Sequence, residues 1–68
     1  MLELTVNGEP RQVRNPCTVQ SLLEQLSLGP QRVAVAINRD VVPRSTFGSH
    51  ELSHGDRIEI LEAVGGGA

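Results

Sequence analysis

Gly65, Gly66 and Gly67, followed by Ala68, close the 68-residue sequence directly after Glu62-Ala63-Val64. Glycine is costly to order and brings no side chain to packing, so a run of three has value only where backbone must pass through a tight space. A slim tail of this kind can enter a narrow channel in a partner and take φ > 0 there without a Cβ clash. Each residue fixed in the channel costs about 1–2 kcal/mol of conformational entropy, which the partner must offset. The chemistry would then sit at the terminal carboxylate, which an ATP-using enzyme could activate. The alternative is an inert frayed end. The residues alone leave both readings open.

Two other constellations invite chemistry. His50-Glu51-Leu52-Ser53-His54 matches H-E-x-x-H, which binds zinc when a stable helix stacks the two histidines one turn apart and aims the glutamate at a metal-bound water. Here Phe47-Gly48-Ser49 precedes the pattern and Gly55-Asp56 follows it. A surface loop with two solvated histidines is expected instead, and no metal site. Cys17 lies between Pro16 and Thr18 at a helix start. A helix N-terminus can lower a thiol pKa, but no histidine is near, and a small, partly buried residue is the expected role. No nucleophile–base pair and no glycine-rich strand-to-helix loop is present, so the side chains offer no catalyst.

The elements that must position the tail follow from periodicity. Leu2, Leu4 and Val6 alternate with Glu3 and Thr5, a half-buried strand. Asn7-Gly8 is a tight-hairpin signal. A second strand is expected over 9–14, at a sheet edge because of Pro10. Val19, Leu22, Leu23 and Leu26 fall on one helical stripe, with Thr18 as N-cap, Ser21 leaving the capping box incomplete, and Leu28-Gly29-Pro30 as the stop.

Val33, Val35 and Ile37 form the buried face of a third strand with the small Ala34 and Ala36 opposite. Arg39-Asp40 is read as a turn, Val41-Val42 as a short return strand and Pro43 as its end. The stretch from Ser45 to Ser53 is expected to be irregular or a single helical turn, anchored by Phe47 and Leu52. After a turn at His54-Gly55-Asp56, the last strand runs over 57–64 with Ile58 and Ile60 inward and Arg57, Glu59 and Leu61 outward. The order is an α+β β-grasp arrangement, with the first and last strands adjacent at the sheet centre and one main helix across it. The expected organisation is a single domain over 1–64 and a flexible tail over 65–68.

Composition narrows the class. A chain of this length buries only about 60% of its unfolded surface, which leaves little room for an internal active site. One cysteine permits no internal disulfide and fits a reducing compartment. No apolar run reaches the roughly 18 residues of a membrane span, and the N-terminus lacks a signal-peptide pattern, so the expected location is cytoplasmic. Six scattered basic residues and one aromatic, Phe47, make a poor surface for phosphates or stacked bases. Nucleic acid and membrane are not expected partners.

Three segments in order, Ala36-Ile37-Asn38-Arg39-Asp40-Val41-Val42-Pro43-Arg44, His54-Gly55-Asp56-Arg57-Ile58-Glu59-Ile60 and Ala63-Val64-Gly65-Gly66-Gly67, closely resemble the ThiS family of sulfur carriers in thiamine (thiazole) biosynthesis. The similarity runs from Met1 to Gly67 and includes the Asn7-Gly8 turn. It implies the ubiquitin-like β-grasp fold and a carrier that is a protein cosubstrate, not an enzyme, with no bound cofactor. It further implies that Gly67, the last of the Gly65-Gly66-Gly67 tail, is adenylated with ATP by an E1-like adenylyltransferase. Sulfur from a cysteine desulfurase system then makes a terminal thiocarboxylate, which a thiazole synthase consumes.

Outward Leu61 and Ala63 beside the tail, with Arg44 on a nearby loop, are the expected partner-binding residues. The family ends on glycine, whereas Ala68 follows Gly67 here. While Ala68 remains, the Gly67 carbonyl is in a peptide bond and cannot be activated, so the resemblance requires Ala68 to be lost, to be no part of the working carrier, or the chemistry to differ. Two rivals stand beside this reading: the small subunit of molybdopterin synthase, with the same fold and tail chemistry, and a ubiquitin-like interaction module with an inert tail.

Overall fold

The computed structural model describes residues 1–62. Apolar–polar alternation lays down β1 (Leu2–Val6) with Leu2, Leu4 and Val6 buried. Asn7 (φ 51°) and Gly8 (φ 83°) turn the chain into β2 (Glu9–Val13), whose register puts Val6 opposite Glu9 and Leu2 opposite Val13. Positive φ at both loop residues is the hairpin geometry that follows the twist of the flanking strands. β2 is an edge strand, as its proline requires. Arg14 lies just beyond it.

α1 (Val19–Gln25) starts where expected. Thr18 is its N-cap, with Oγ1 accepting the Ser21 N–H at 3.1 Å and the Thr18 hydroxyl donating to Ser21 Oγ at 3.1 Å. Ser21 thus takes up the cap that a glutamate would share in a full capping box. The remaining free donors of the first turn are also occupied: Val19 N–H donates to the His50 carbonyl at 3.0 Å and Gln20 N–H to the Phe47 carbonyl at 2.9 Å.

The helix stops earlier than Leu28-Gly29-Pro30 suggests. Ser27 takes φ 59°, Leu28 N–H reaches back to the Leu23 carbonyl at 2.9 Å and Ser27 N–H to Glu24 at 3.1 Å. That is a Schellman close with serine where glycine is usual. Gly29 and Pro30 instead begin a separate 3₁₀ turn, Pro30–Arg32.

β3 (Val33–Ile37) and β4 (Asp40–Val42) form a second hairpin with Ile37 opposite Asp40. Its two loop residues are Asn38 (φ 52°) and Arg39 (φ 73°), one position earlier than the Arg39-Asp40 turn read from sequence. A second 3₁₀ turn (Arg44–Thr46) leads to the anchors Phe47 and Leu52, both buried. β5 (Arg57–Glu62) completes a five-stranded sheet in the order β2-β1-β5-β3-β4, parallel to β1 and antiparallel to β3. Ala63 and Val64, expected to continue β5, lie outside the described residues, as does the tail over 65–68.

Leu22 and Leu23 of α1 and Val19 at its start pack with Leu4, Val13, Val35, Ile58 and Ile60 of the sheet in one core cluster. Full burial of such a side chain is worth about 1.5–3 kcal/mol. The helix covers one face of the sheet. Among the described residues the other face stays open, and β5 lies at the centre of the sheet.

Candidate functional site

Ile58 and Ile60 are buried, while Arg57, Glu59 and Leu61 face out. Two asparagines in the left-handed turns hold this strand from either side. Asn38 accepts the Arg57 N–H on Oδ1 at 3.0 Å and donates from Nδ2 to Asp56 at 3.1 Å. Asn7, on the β1 side, binds the backbone of Ile60 through its side-chain amide. From sequence, Asn7 was read as a turn residue and Asn38 as the last residue of the third strand. Their second role, extending the hydrogen-bond ladder of β5, was invisible without the register.

The open face is apolar at the tail end. Leu61 is 74% exposed and Val41 79%. The β3–β5 register sets Ala34 beside Leu61, and the β3–β4 register sets Ala36 beside Val41. Because Ala34 and Ala36 are small, Leu61 and Val41 stand as the walls of a shallow depression of about 200 Å³ that also reaches Glu59. Leu61 further borders a second depression of about 270 Å³ with Arg32 and Arg44. Arg44 is oriented there by its Nε, which donates to the Pro30 carbonyl at 3.0 Å. The fold therefore brings together two of the expected partner-binding residues, Leu61 and Arg44. The third, Ala63, and the tail residues Gly65, Gly66, Gly67 and Ala68 lie outside the described residues. Sequence reading missed Val41, Ala34 and Ala36; the outward small positions of the Val33–Ile37 strand were the available signal.

The other constellations resolve differently. His50 to His54 forms no helix: Glu51 bridges to Thr18, and His54 lies in a turn where its Nδ1 accepts the Glu3 N–H at 3.2 Å. Helical stacking of the two histidines, which the zinc chemistry needs, is absent from this stretch. Cys17 is more deeply buried than expected, 2% exposed, and burial pushes its thiol above the ordinary value. The neighbouring helix N-terminus does not counter this, since its donors are already spent on Thr18, Phe47 and His50.

The sequence pattern of the ThiS family matches residues 4–67, from β1 through the third glycine. The chain belongs to the ThiS family. It is similar to the sulfur carrier protein ThiS of Escherichia coli strain K12, 33% identical over 66 residues, which takes in 97% of this chain and all of that one. It superposes on the crystal structure of the thiamine biosynthesis protein ThiS from Geobacter metallireducens with a TM-score of 0.81 at 33% identity, covering 94% of this chain and 97% of that one. The five-stranded mixed sheet with its one helix is thus the β-grasp fold of the ThiS structures. The chain is also 36% identical over 67 residues to a thiazole synthase of Paramagnetospirillum magneticum. There it spans 98% of its own length but only about a fifth (21%) of the synthase.

Proposed function

We propose that this member of the ThiS family is a sulfur carrier of thiamine biosynthesis, loaded and unloaded at Gly67 once that residue is the terminus. The observation that carries the reading is the family match, which spans residues 4–67 and so takes in both the folded body and the glycine tail to Gly67. The carrier is a cosubstrate that other proteins act on.

The chemistry runs through one carboxyl group, activated first and then sulfurated. A carboxylate oxygen of Gly67 attacks the α-phosphorus of ATP on an E1-like adenylyltransferase, and pyrophosphate leaves with its electron pair. The mixed anhydride makes the carbonyl carbon electrophilic. The terminal sulfur of a persulfide from the desulfurase system then adds there, the C–O bond to AMP breaks, and a thiol reductant cleaves the S–S bond of the resulting acyl disulfide to leave a thiocarboxylate. Glycine suits both steps, because no Cβ crowds the carbonyl. A β-branched residue there would hinder attack. ATP belongs to the activating partner, and a reaction fed by ATP and a cysteine-derived sulfur belongs in the cytoplasm.

A thiazole synthase is the proposed consumer of the sulfur. Chains that match this one over a fifth of their length are themselves thiazole synthases, which favours that branch over a pterin synthase. The docking surface for these partners is the open sheet face between Leu61 and Val41, with Arg44 at its rim and Ala63 on the way to the tail. An exposed apolar patch next to a polar rim is the usual form of a protein-binding site.

Removal of Gly66, Gly67 and Ala68 in the host tests the reading. Growth should then require added thiamine while the body keeps its far-UV circular dichroism and melting transition. Growth without thiamine at the wild-type rate would overturn it and leave an interaction module with an inert tail.

A further inference from the structure

The chain builds the same two-residue hairpin turn twice and fills it differently. In the first, Asn7 is followed by Gly8 at φ 83°; in the second, Asn38 is followed by Arg39 at φ 73°. Left-handed backbone carries a steric penalty for any residue with a Cβ, least for Asn and Asp, and glycine would relieve it. Arginine is thus held where backbone geometry favours glycine, so its side chain is the feature to account for. Arg39 is exposed, and it borders a depression of about 430 Å³ on the open sheet face together with exposed Arg57. Thr5, Asn7 and Glu59 also line it.

Glu59 lines both this depression and the apolar one around Leu61 and Val41. The two therefore adjoin at Glu59 along β5, one apolar and toward the tail, the other bordered by two guanidinium groups.

We propose that Arg39 and Arg57 form the basic end of the docking surface and receive carboxylate side chains of a protein partner, first of all the activating enzyme. The inference rests on the carrier reading above and deepens it by stating the partner's chemistry: an apolar ridge that fits between Leu61 and Val41, followed by acidic residues. Both guanidiniums are exposed, so they act as rim charges, which govern encounter rate and its salt dependence more than the lifetime of the complex. An acidic protein segment fits this surface better than a nucleic acid, because the chain has one aromatic residue and carries a net charge of −2.

The test uses the carrier with Gly67 as its terminus and the host's E1-like enzyme, and follows ATP-dependent pyrophosphate release against carrier concentration. Arg39→Gly preserves the turn, and its melting temperature should match or exceed wild type. Arg39→Asn, which also tolerates left-handed backbone, is the second variant should the glycine one fold poorly. Arg57→Gln removes the other charge.

Each variant should raise KM about three- to tenfold at about 0.05 M salt with kcat unchanged, and the difference should shrink toward none at about 0.5 M. An unchanged KM at low salt, or a KM rise that salt does not reduce, would overturn the inference while leaving the carrier reading intact. Inhibition of wild type by inorganic phosphate well beyond chloride of equal ionic strength, lost in both variants, would mark a small-anion site instead and overturn it too. No pyrophosphate release from wild type would overturn the carrier reading and this inference together.

Discussion

Asn7 grips Ile60 by both of its backbone polar groups: Oδ1 accepts the Ile60 N–H at 2.7 Å and Nδ2 donates to the Ile60 carbonyl at 3.1 Å. Its own N–H donates to the Ile58 carbonyl at 2.9 Å. β1 and β5 are in register only from Thr5 opposite Arg57 to Val6 opposite Ile58, because β1 turns away at Asn7. The side-chain amide carries the ladder one step further. It fixes the strand at Ile60, one residue before Leu61 of the proposed docking face and seven before Gly67 in sequence.

Loss of that clamp should be measurable as stability. Asn7→Gly keeps the left-handed turn available and removes only the amide, so it isolates the two hydrogen bonds. A loss of about 1–2 kcal/mol is expected, seen as a lower urea midpoint with an unchanged slope. Asn7→Asp keeps the acceptor for the Ile60 N–H but turns a carboxylate oxygen toward the Ile60 carbonyl, and should lose at least as much. Wild-type midpoints in both would show that the clamp contributes nothing.

The core has little reserve. Leu22 is fully buried, and Leu22→Ala should cost about 2–5 kcal/mol. For a chain of this length the whole stability is on the order of 3–10 kcal/mol. Thermal unfolding followed by circular dichroism should show a large drop in midpoint or a largely unfolded chain at room temperature. A drop of only a degree or two would mean that the α1 stripe is not what holds the sheet.

Much of this architecture is legible in the residues themselves. Alternation in Leu2–Val6 and Arg57–Leu61, the Asn7-Gly8 pair and the Thr18 cap report local physics, and local physics decided those elements. The helix end was misplaced because Gly29 and Pro30 are strong stop signals, whereas the chain closes α1 with Ser27 at φ 59°, a residue type that gives no sign of a left-handed turn in sequence. The Asn38-Arg39 turn was read one residue late for the same reason: arginine at a glycine position hides the hairpin. On the site, Leu61 was visible as an outward apolar residue at the end of a strand. Val41, Ala34 and Ala36 were not, since only the β3–β4 and β3–β5 registers show that they stand next to it. The tail chemistry came from the resemblance, and glycine spacing alone left it open.

Leu61→Asp and Val41→Asp place a charge on residues that are 74% and 79% exposed. Changes at such positions usually alter stability by no more than about 0.5 kcal/mol. Loading by the activating enzyme should nonetheless fall at least about tenfold, since apolar anchors at an interface centre carry about 2 kcal/mol or more. Pyrophosphate release against carrier concentration reads this directly, and wild-type kinetics in both variants would place the docking surface elsewhere.

Cys17 gives the fold an alkaline limit. Burial raises its thiol pKa in the folded chain, so folding favours the protonated form. That contribution is whole below the unfolded thiol value of about 8.5 and fades as pH rises through the higher folded value. The sequence holds no lysine and no tyrosine, and arginine keeps its charge there, so Cys17 is the one side chain titrating in that window. Melting temperature should fall from about pH 8 to about pH 10 in wild type and stay nearly flat in Cys17→Ala. Native protein should also resist iodoacetamide until unfolded. Equal alkaline slopes for the two proteins, or fast native alkylation, would contradict the buried thiol.

The central claim is that this small sheet and helix exist to present a terminal group that other proteins activate and sulfurate. Intact mass spectrometry tests it most directly, on the chain ending at Gly67 after incubation with the host's E1-like enzyme, ATP, cysteine, the desulfurase system and a thiol reductant. The account predicts a gain of about 16 Da, the exchange of one oxygen for sulfur at the activated carboxyl, and no gain when Ala68 still follows Gly67. An unchanged mass in the Gly67-terminated chain, with every component present and active on a known carrier, would contradict it.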